Sequence, residues 1–182
     1  MLNGFSKSFK VGFLRGELMQ HVTLKGSPVE VIGQVLKTGT HAPEITGIDA
    51  DFKERSLKEF KGKKKIICFV PSLDTAVCSL SAKKFNEKME SKSNTAVIYC
   101  SMDLPFVFKR VCEHLSHVTP LSLFHNPKIA EAYGALQSSG PLKGLCARAV
   151  FVIDEHDKVV YHELVKEITT EPDYDKALAY LY

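Results

Sequence analysis

The 182-residue sequence lacks several features that would place it in a special class. No uninterrupted apolar run approaches the ~18 residues that a membrane-spanning helix requires. No strong charge excess is present either, because 24 basic and 21 acidic residues leave a net charge of +3. The apolar fraction of 45% and the charged fraction of 25% are ordinary globular values, which exclude disordered and low-complexity classes. We therefore expect one globular domain, with neither a nucleic acid nor a membrane as its partner.

Motifs for metals, phosphates and paired thiols are also absent. No Cys-x-x-Cys occurs, which argues against structural zinc and against an ordinary dithiol oxidoreductase. No glycine-rich phosphate loop is found. We interpret Asp103, Asp154 and Asp157 as cap and turn residues rather than as metal ligands. We therefore expect neither a metal nor an organic cofactor.

Residues 1–18 differ in composition from the rest, with three basic residues and one acidic residue. They contain no long apolar segment and no small-residue cleavage site, which argues against a secretory signal. An organelle leader is one alternative, and a start at Met19 is another. We expect residues 1–18 to be a poorly ordered extension and residues 19–182 to form the domain. The missing secretory signal predicts a cytoplasmic location.

The hydrophobic pattern predicts an α/β fold. Two alternating runs, His21–Lys25 and Val29–Ile32, flank Gly26 and predict an N-terminal β-hairpin. The lysine run at 61–65 is interpreted as a solvated turn. Further strands are predicted at Glu44–Ile48, Ile66–Val70, Thr95–Cys100, Leu121–Phe124, Ala147–Ile153 and Val159–Leu164, with helical segments at Ser56–Glu59, Ala76–Met89, from Pro105, Pro127–Tyr133 and Pro172–Tyr182. This order predicts a mixed central sheet flanked by helices, a thioredoxin-like architecture.

The five cysteines cannot all pair within one chain, because their number is odd. A domain of this length does not need disulfides to fold, so we expect a reducing compartment. Cys68 and Cys100 lie in apolar strands and are interpreted as core residues, and Cys146 receives no role.

Cys78 occupies the most informative position, in the first turn of a helix that follows a buried strand. The unpaired N–H groups and the positive dipole end of that turn favour a thiolate, which is the nucleophilic form. The alternative is a small buried helix residue. Thr75 precedes it as a cap or as a hydroxyl donor, and Pro71 can keep the loop rigid.

Cys112 lies 34 positions further along, on the helix that begins near Pro105. Its charged neighbours Arg110 and Glu113 predict a partly exposed helix face. The alternative is another core cysteine.

Four stretches resemble the thiol peroxidases, the atypical two-cysteine peroxiredoxins, in the order that family shows. The resemblance extends from about Met19 to Leu181. Residues 1–18 have no counterpart in it, and Glu113–Pro120 is slightly shorter than usual. The four stretches are Pro71–Cys78 (PSLDTAVC), Asp103–Cys112 (DLPFVFKRVC), Gly140–Ala149 (GPLKGLCARA) and Glu167–Tyr174 (EITTEPDY).

The resemblance implies a thioredoxin fold, usually in a homodimer, and a role for each matching residue. Cys78 would be the peroxidatic cysteine and Cys112 the resolving cysteine. Thr75 and Arg148 would contact the peroxide and the thiolate, and Pro71 would form part of the pocket.

The implied activity is reduction of hydrogen peroxide and organic hydroperoxides to water and alcohols, in antioxidant defence and cell redox homeostasis. Cys78 would become a sulfenic acid and condense with Cys112 into an intramolecular disulfide, which a thioredoxin-type reductant recycles. Two alternatives remain: a general thiol–disulfide exchange protein, which would need vicinal cysteines, and a redox-regulated binding or chaperone domain that uses the disulfide as a switch.

Overall fold

The computed structural model describes residues 19–90, 92 and 94–182. The predicted extension at residues 1–18 therefore lies outside the described residues. The ten strands of the described part are β1 (Met19–Leu24), β2 (Ser27–Ile32), β3 (Thr46–Ile48), β4 (Glu54–Ser56), β5 (Lys64–Phe69), β6 (Thr95–Ser101), β7 (Val118–Ser122), β8 (Leu136–Gln137), β9 (Ala149–Ile153) and β10 (Val159–Leu164). Its helices are α1 (Ala76–Met89), α2 (Pro105–Cys112), α3 (Lys128–Ala132) and α4 (Tyr174–Ala179), with a 3-10 turn at Leu57–Phe60.

Seven strands form the central sheet in the order β10-β9-β5-β6-β7-β3-β4. The strands β5, β6 and β7 run parallel, whereas β9 and β10 pair antiparallel on the other side of β5. The hairpin β1–β2 joins β8 in a second, three-stranded sheet. The predicted mixed sheet and N-terminal hairpin are confirmed.

Two apolar layers cover the faces of the central sheet, because successive side chains of a strand point to opposite sides. Ile67 and Phe69 of β5 lie in the layer that α3 covers. Ile66 and Cys68 lie in the opposite layer, with residues of α1, α2 and α4. The second layer also contains both Cys78 and Cys112, so the sheet packs the two cysteines of interest on the same face.

The bounds of α1 match the prediction, since Thr75 caps the helix and its apolar residues recur at helical spacing. The strand predicted at Leu121–Phe124 is shifted toward the N-terminus, because β7 starts at Val118 and passes through Pro120. The strand β3 pairs with β7 only at Ser122, so most of β7 has an edge on which proline is tolerated. Strands β4 and β8 were not predicted.

The interpretation of the whole lysine run as a solvated turn is wrong. Lys65 lies in β5 and is fully buried. Its ammonium group pairs with the Asp157 carboxylate and also contacts the Asp154 carbonyl at 3.4 Å. The β9–β10 turn therefore supplies the polar partners that a buried ammonium group requires. Within the described residues no helix is both long and apolar enough to cross a bilayer.

Candidate active site

Cys78 lies in the first turn of α1, where the chain leaves the carboxyl end of β5. The Thr75 side chain caps this helix and accepts a hydrogen bond from the Cys78 backbone N–H at 3.4 Å. The first turn contains no acidic residue, so the positive end of the helix dipole stays uncompensated. Cys78 is 0% exposed, so its sulfur lies inside the protein, in the first turn at that end of the helix.

Arg148 immediately precedes β9, and its side chain faces the Cys78 sulfur. Its guanidinium Nη2 lies 3.4 Å from Cys78 Sγ, and the side chain is 2% exposed. Nε and Nη2 also donate to the Ile168 carbonyl, at 3.1 and 3.0 Å. Nη1 is buried and has no hydrogen-bond partner among the described residues. The geometry thus places a positive charge beside the thiol and leaves one donor available for a small polar group.

The loop between β5 and α1 is attached to the segment that carries Cys112. The Leu73 N–H donates to Asp103 Oδ2 at 2.7 Å. The Asp74 carboxylate accepts two hydrogen bonds from the Arg110 guanidinium, at 2.9 and 2.8 Å. This bidentate pair also compensates the acidic charge closest in sequence to the start of α1. We refer to the Asp74–Arg110 pair as the clip.

The remaining predicted site residues lie around this loop. Pro71 lies two residues after the end of β5 and is buried, and Thr75 is exposed with its hydroxyl donating to the Ser72 carbonyl at 3.1 Å. The hydroxyl can therefore rotate between its local backbone partner and a ligand that reaches the start of α1.

Cys112 is the last residue of α2. The prediction of a partly exposed position is wrong, because its side chain is only 8% exposed. Its charged neighbours Arg110 and Glu113 lie on the solvated side of the helix, whereas Cys112 points toward the sheet. Burial, with a smaller contribution from the Asp103 charge, raises the pKa of the Cys112 thiol to about 11. In the folded protein this thiol is therefore protonated at neutral pH.

A cavity of about 530 Å³ borders Cys112, lined also by Phe108, Val118 and Pro120. Only residues 113–117 separate Cys112 from the start of β7. Within this link the Leu115 N–H donates to the Cys112 carbonyl at 2.9 Å. The resolving candidate thus lies between a helix end and a tight turn.

All five cysteines are free thiols in this structure, and the three outside the candidate pair share an environment that disfavours the thiolate. Burial raises the pKa of Cys68 to about 12 and raises the pKa values of Cys100 and Cys146 above their ordinary range. A thiol that stays protonated and inaccessible is a poor nucleophile. The core interpretation of Cys68 and Cys100 agrees with this, and Cys146 joins them.

Two contributors to this site were not recognised in the sequence. Asp103 was interpreted as a cap or turn residue, but α2 has no side-chain cap, and Asp103 binds the Leu73 N–H and the Ser101 hydroxyl instead. The Ile168 carbonyl orients Arg148 as a backbone group. No side-chain pattern reports a backbone acceptor, so this contact carries no sequence signal of its own.

The chain is similar to several known proteins. A family model described as Redoxin matches residues 37–178. A thiol peroxidase from Leptospira interrogans is 46% identical over 165 residues, which cover 88% of this chain and 96% of that protein. The structure of a peroxiredoxin-like protein from Aquifex aeolicus is 44% identical, with a TM-score of 0.84 over 90% of this chain and 96% of that one. A thiol peroxidase from Chromobacterium violaceum, 23% identical, shares the fold with a TM-score of 0.81 over 88% of this chain and 94% of its own.

Proposed function

Since this chain belongs to the Redoxin family and is a thiol-dependent peroxidase, an oxidoreductase that acts on peroxides, we propose that Cys78 is its peroxidatic thiol and Cys112 its resolving thiol. The proposal rests on the buried guanidinium of Arg148. Its Nη2 lies 3.4 Å from Cys78 Sγ, and its Nη1 has no hydrogen-bond partner among the described residues. A buried arginine with a free N–H beside a cysteine suits a reaction in which negative charge develops on a small ligand.

In the first step the Cys78 thiolate attacks one oxygen of the peroxide. The S–O bond forms as the O–O bond breaks, and the departing oxygen takes a proton and leaves as water or an alcohol. Arg148 Nη1 and the Thr75 hydroxyl are the donors proposed to stabilise the charge on the two oxygens. Pro71 closes the pocket on the side where the chain leaves β5. Cys78 ends this step as a sulfenic acid.

In the second step the Cys112 thiolate attacks the Cys78 sulfenic sulfur. The S–S bond forms, the S–O bond breaks, and the hydroxyl takes up the equivalent of the proton that Cys112 lost and leaves as water. A disulfide requires Cα atoms within about 7 Å, and both cysteines are buried in different helices. We therefore expect the start of α1, the end of α2, or both to unwind during each cycle.

A thioredoxin-type dithiol then restores both thiols by exchange, a route of recycling that is general in this family. Its two electrons reduce the Cys78–Cys112 disulfide, and the reductant leaves as its own disulfide. Cys68, Cys100 and Cys146 take no part. The requirement for this reductant favours a cytoplasmic location, and the cycle as a whole favours a role in antioxidant defence and cell redox homeostasis.

The same proposal covers the oligomeric state of the protein and residues 1–18. The resemblance to the thiol peroxidases favours a homodimer of the domain formed by residues 19–182. Residues 1–18 are proposed to be an extension that the chemistry does not need. Removal of residues 1–18 is expected to leave peroxide turnover unchanged.

Turnover with hydrogen peroxide and with a bulky alkyl hydroperoxide, each recycled by thioredoxin, tests the proposal. Cys78→Ser should abolish consumption of both peroxides, whereas Cys146→Ala, a change at a buried thiol outside the proposed pair, should retain it. Consumption of a single equivalent without turnover would indicate a redox switch instead of an enzyme. Mass mapping of the oxidised protein should find a Cys78–Cys112 link, and a Cys78–Cys78 link between subunits would refute the intramolecular scheme.

A further inference from the structure

Glu167 makes more hydrogen bonds than its half-buried position requires. It lies in the segment after β10, and its carboxylate reaches the turn of the β1–β2 hairpin. The five donors to its two oxygens are the Thr23 hydroxyl at 2.8 Å, the Lys25 N–H at 3.0 Å, the Gly26 N–H at 3.1 Å, the Thr169 N–H at 3.0 Å and the Thr169 hydroxyl at 2.6 Å. One side chain therefore joins two segments that are more than 140 residues apart in sequence.

The segment that Glu167 holds carries the group that orients Arg148. The Ile168 carbonyl accepts two hydrogen bonds from the Arg148 guanidinium, and it lies between Glu167 and Thr169 in sequence. The backbone on both sides is attached to the hairpin, since the Thr23 N–H donates to the Lys166 carbonyl at 2.6 Å and the Ile168 N–H donates to the Thr23 carbonyl at 2.8 Å. A displaced Ile168 carbonyl would rotate the guanidinium that faces Cys78.

We propose that Glu167 is a positioning residue for the peroxidase reaction, which fixes the Ile168 carbonyl and thereby aims Arg148 at Cys78. The proposal rests on the function proposed above, because it needs Arg148 to act on the Cys78 thiolate. It also assigns the N-terminal hairpin a part in the chemistry, as the fixed support to which Glu167 is attached.

The charge of Glu167 suits this role. Its hydrogen bonds, led by those from Thr169, hold the pKa of Glu167 far below its usual range. Protonation would remove acceptor capacity from the carboxylate. At neutral pH the carboxylate of Glu167 is therefore ionised and both of its oxygens can accept these hydrogen bonds.

Glu167→Gln keeps the size of the side chain but replaces one acceptor oxygen by an NH2 group, which repels the N–H donors. We expect a slower oxidation of Cys78 by hydrogen peroxide, measured in a single turnover without reductant. The rate constant should fall by roughly tenfold to a hundredfold, because a small misplacement of a catalytic group has an effect of this size. Glu59→Gln is the matched control, because that carboxylate also accepts a backbone N–H, from Ser56 at 2.8 Å, in the 3-10 turn next to β4. The control should lose thermal stability without losing rate.

A rate for Glu167→Gln within twofold of the native rate would overturn the proposal. Thr169→Val removes one of the same hydrogen bonds with less risk to folding, and should give a smaller slowing of the same step. If both variants fall in stability but keep the native rate, Glu167 only closes the hairpin turn.

The double variant separates positioning from general damage. In an Arg148→Met background, Glu167→Gln should cause no further slowing, because the group that Glu167 orients is gone. Equal slowing in both backgrounds would overturn the proposal. A native rate for Arg148→Met alone would instead sink the role of Arg148 in the proposed function, so the two failures are distinguishable.

Discussion

The burial of Cys112 predicts how disulfide formation should depend on pH. The attacking group must be a thiolate, yet burial holds the pKa of this thiol at about 11, against an ordinary value of 9.0. At pH 7 the thiolate fraction of the folded form is therefore roughly a hundredfold smaller than that of an exposed cysteine. Because the pKa of Cys112 is higher in the closed form than in an exposed one, the protonated thiol stabilises the closed end of α2 below pH 9. This stabilisation is lost as the pH rises toward 11.

The rate of disulfide formation should consequently rise by about tenfold per pH unit through pH 9 and on to pH 10, and level off only near 11. The measurement starts from Cys78 oxidised by one equivalent of peroxide at pH 7, followed by a jump to each final pH. Acid quenching, alkylation and mass spectrometry then report the Cys78–Cys112 link as a function of time. The jump keeps the first step constant, so only resolution is compared.

A variant that opens the end of α2 supplies the comparison. Leu115→Ala removes a buried side chain from the link after Cys112, which should expose the thiol and move the plateau toward pH 9. A native curve that already levels near pH 9 would refute the reasoning, because it would mean that Cys112 is exposed before it reacts.

Three further changes test other parts of the molecule. Arg148→Met should slow the oxidation of Cys78 by hydrogen peroxide by about a hundredfold, measured in a single turnover, because it removes the proposed charge-stabilising donors; a native rate would contradict that role. Asp74→Asn breaks the clip to Arg110 and should speed up disulfide formation while leaving the first step unchanged. The gain should not exceed about fivefold, because both side chains are about half exposed or more. It should shrink in high salt, which already screens the native pair. Gly33→Ala should lower the free energy of unfolding in urea by about 2 kcal/mol or more, since the backbone has a φ of +92° and a Cβ would lie 2.1 Å from the Glu131 carbonyl oxygen; an unchanged midpoint would contradict this.

Elements whose causes are local were predictable from the sequence. Helix α1 is found at its predicted bounds because the Thr75 cap and the apolar spacing lie within one segment. The hairpin β1–β2 likewise follows from a glycine turn between two alternating runs. Strands β4 and β8 escaped prediction because they are three and two residues long and exist only through their partners.

The site required contacts that no local pattern carries. Cys78 stood out by its position at the start of a helix, but its neighbour Arg148 was identified only through the family resemblance. Cys112 was misjudged because charged neighbours describe the opposite side of a helix. Lys65 was misjudged because its partner Asp157 lies 92 residues away. Each error concerns a side chain whose surroundings come from another element.

The short link after Cys112 limits how far the proposed resolving thiol can move when the end of α2 unwinds. Residues 113–117 join it to β7, a strand that the sheet holds in place, so an unwound Cys112 stays within about 22 Å of that anchor. Confinement to so small a volume corresponds to an effective concentration in the millimolar range. Free peroxide competes with this tethered thiol for the Cys78 sulfenic acid, which it would drive to the sulfinic form. A longer link would lower the effective concentration of the thiol and thereby favour irreversible oxidation.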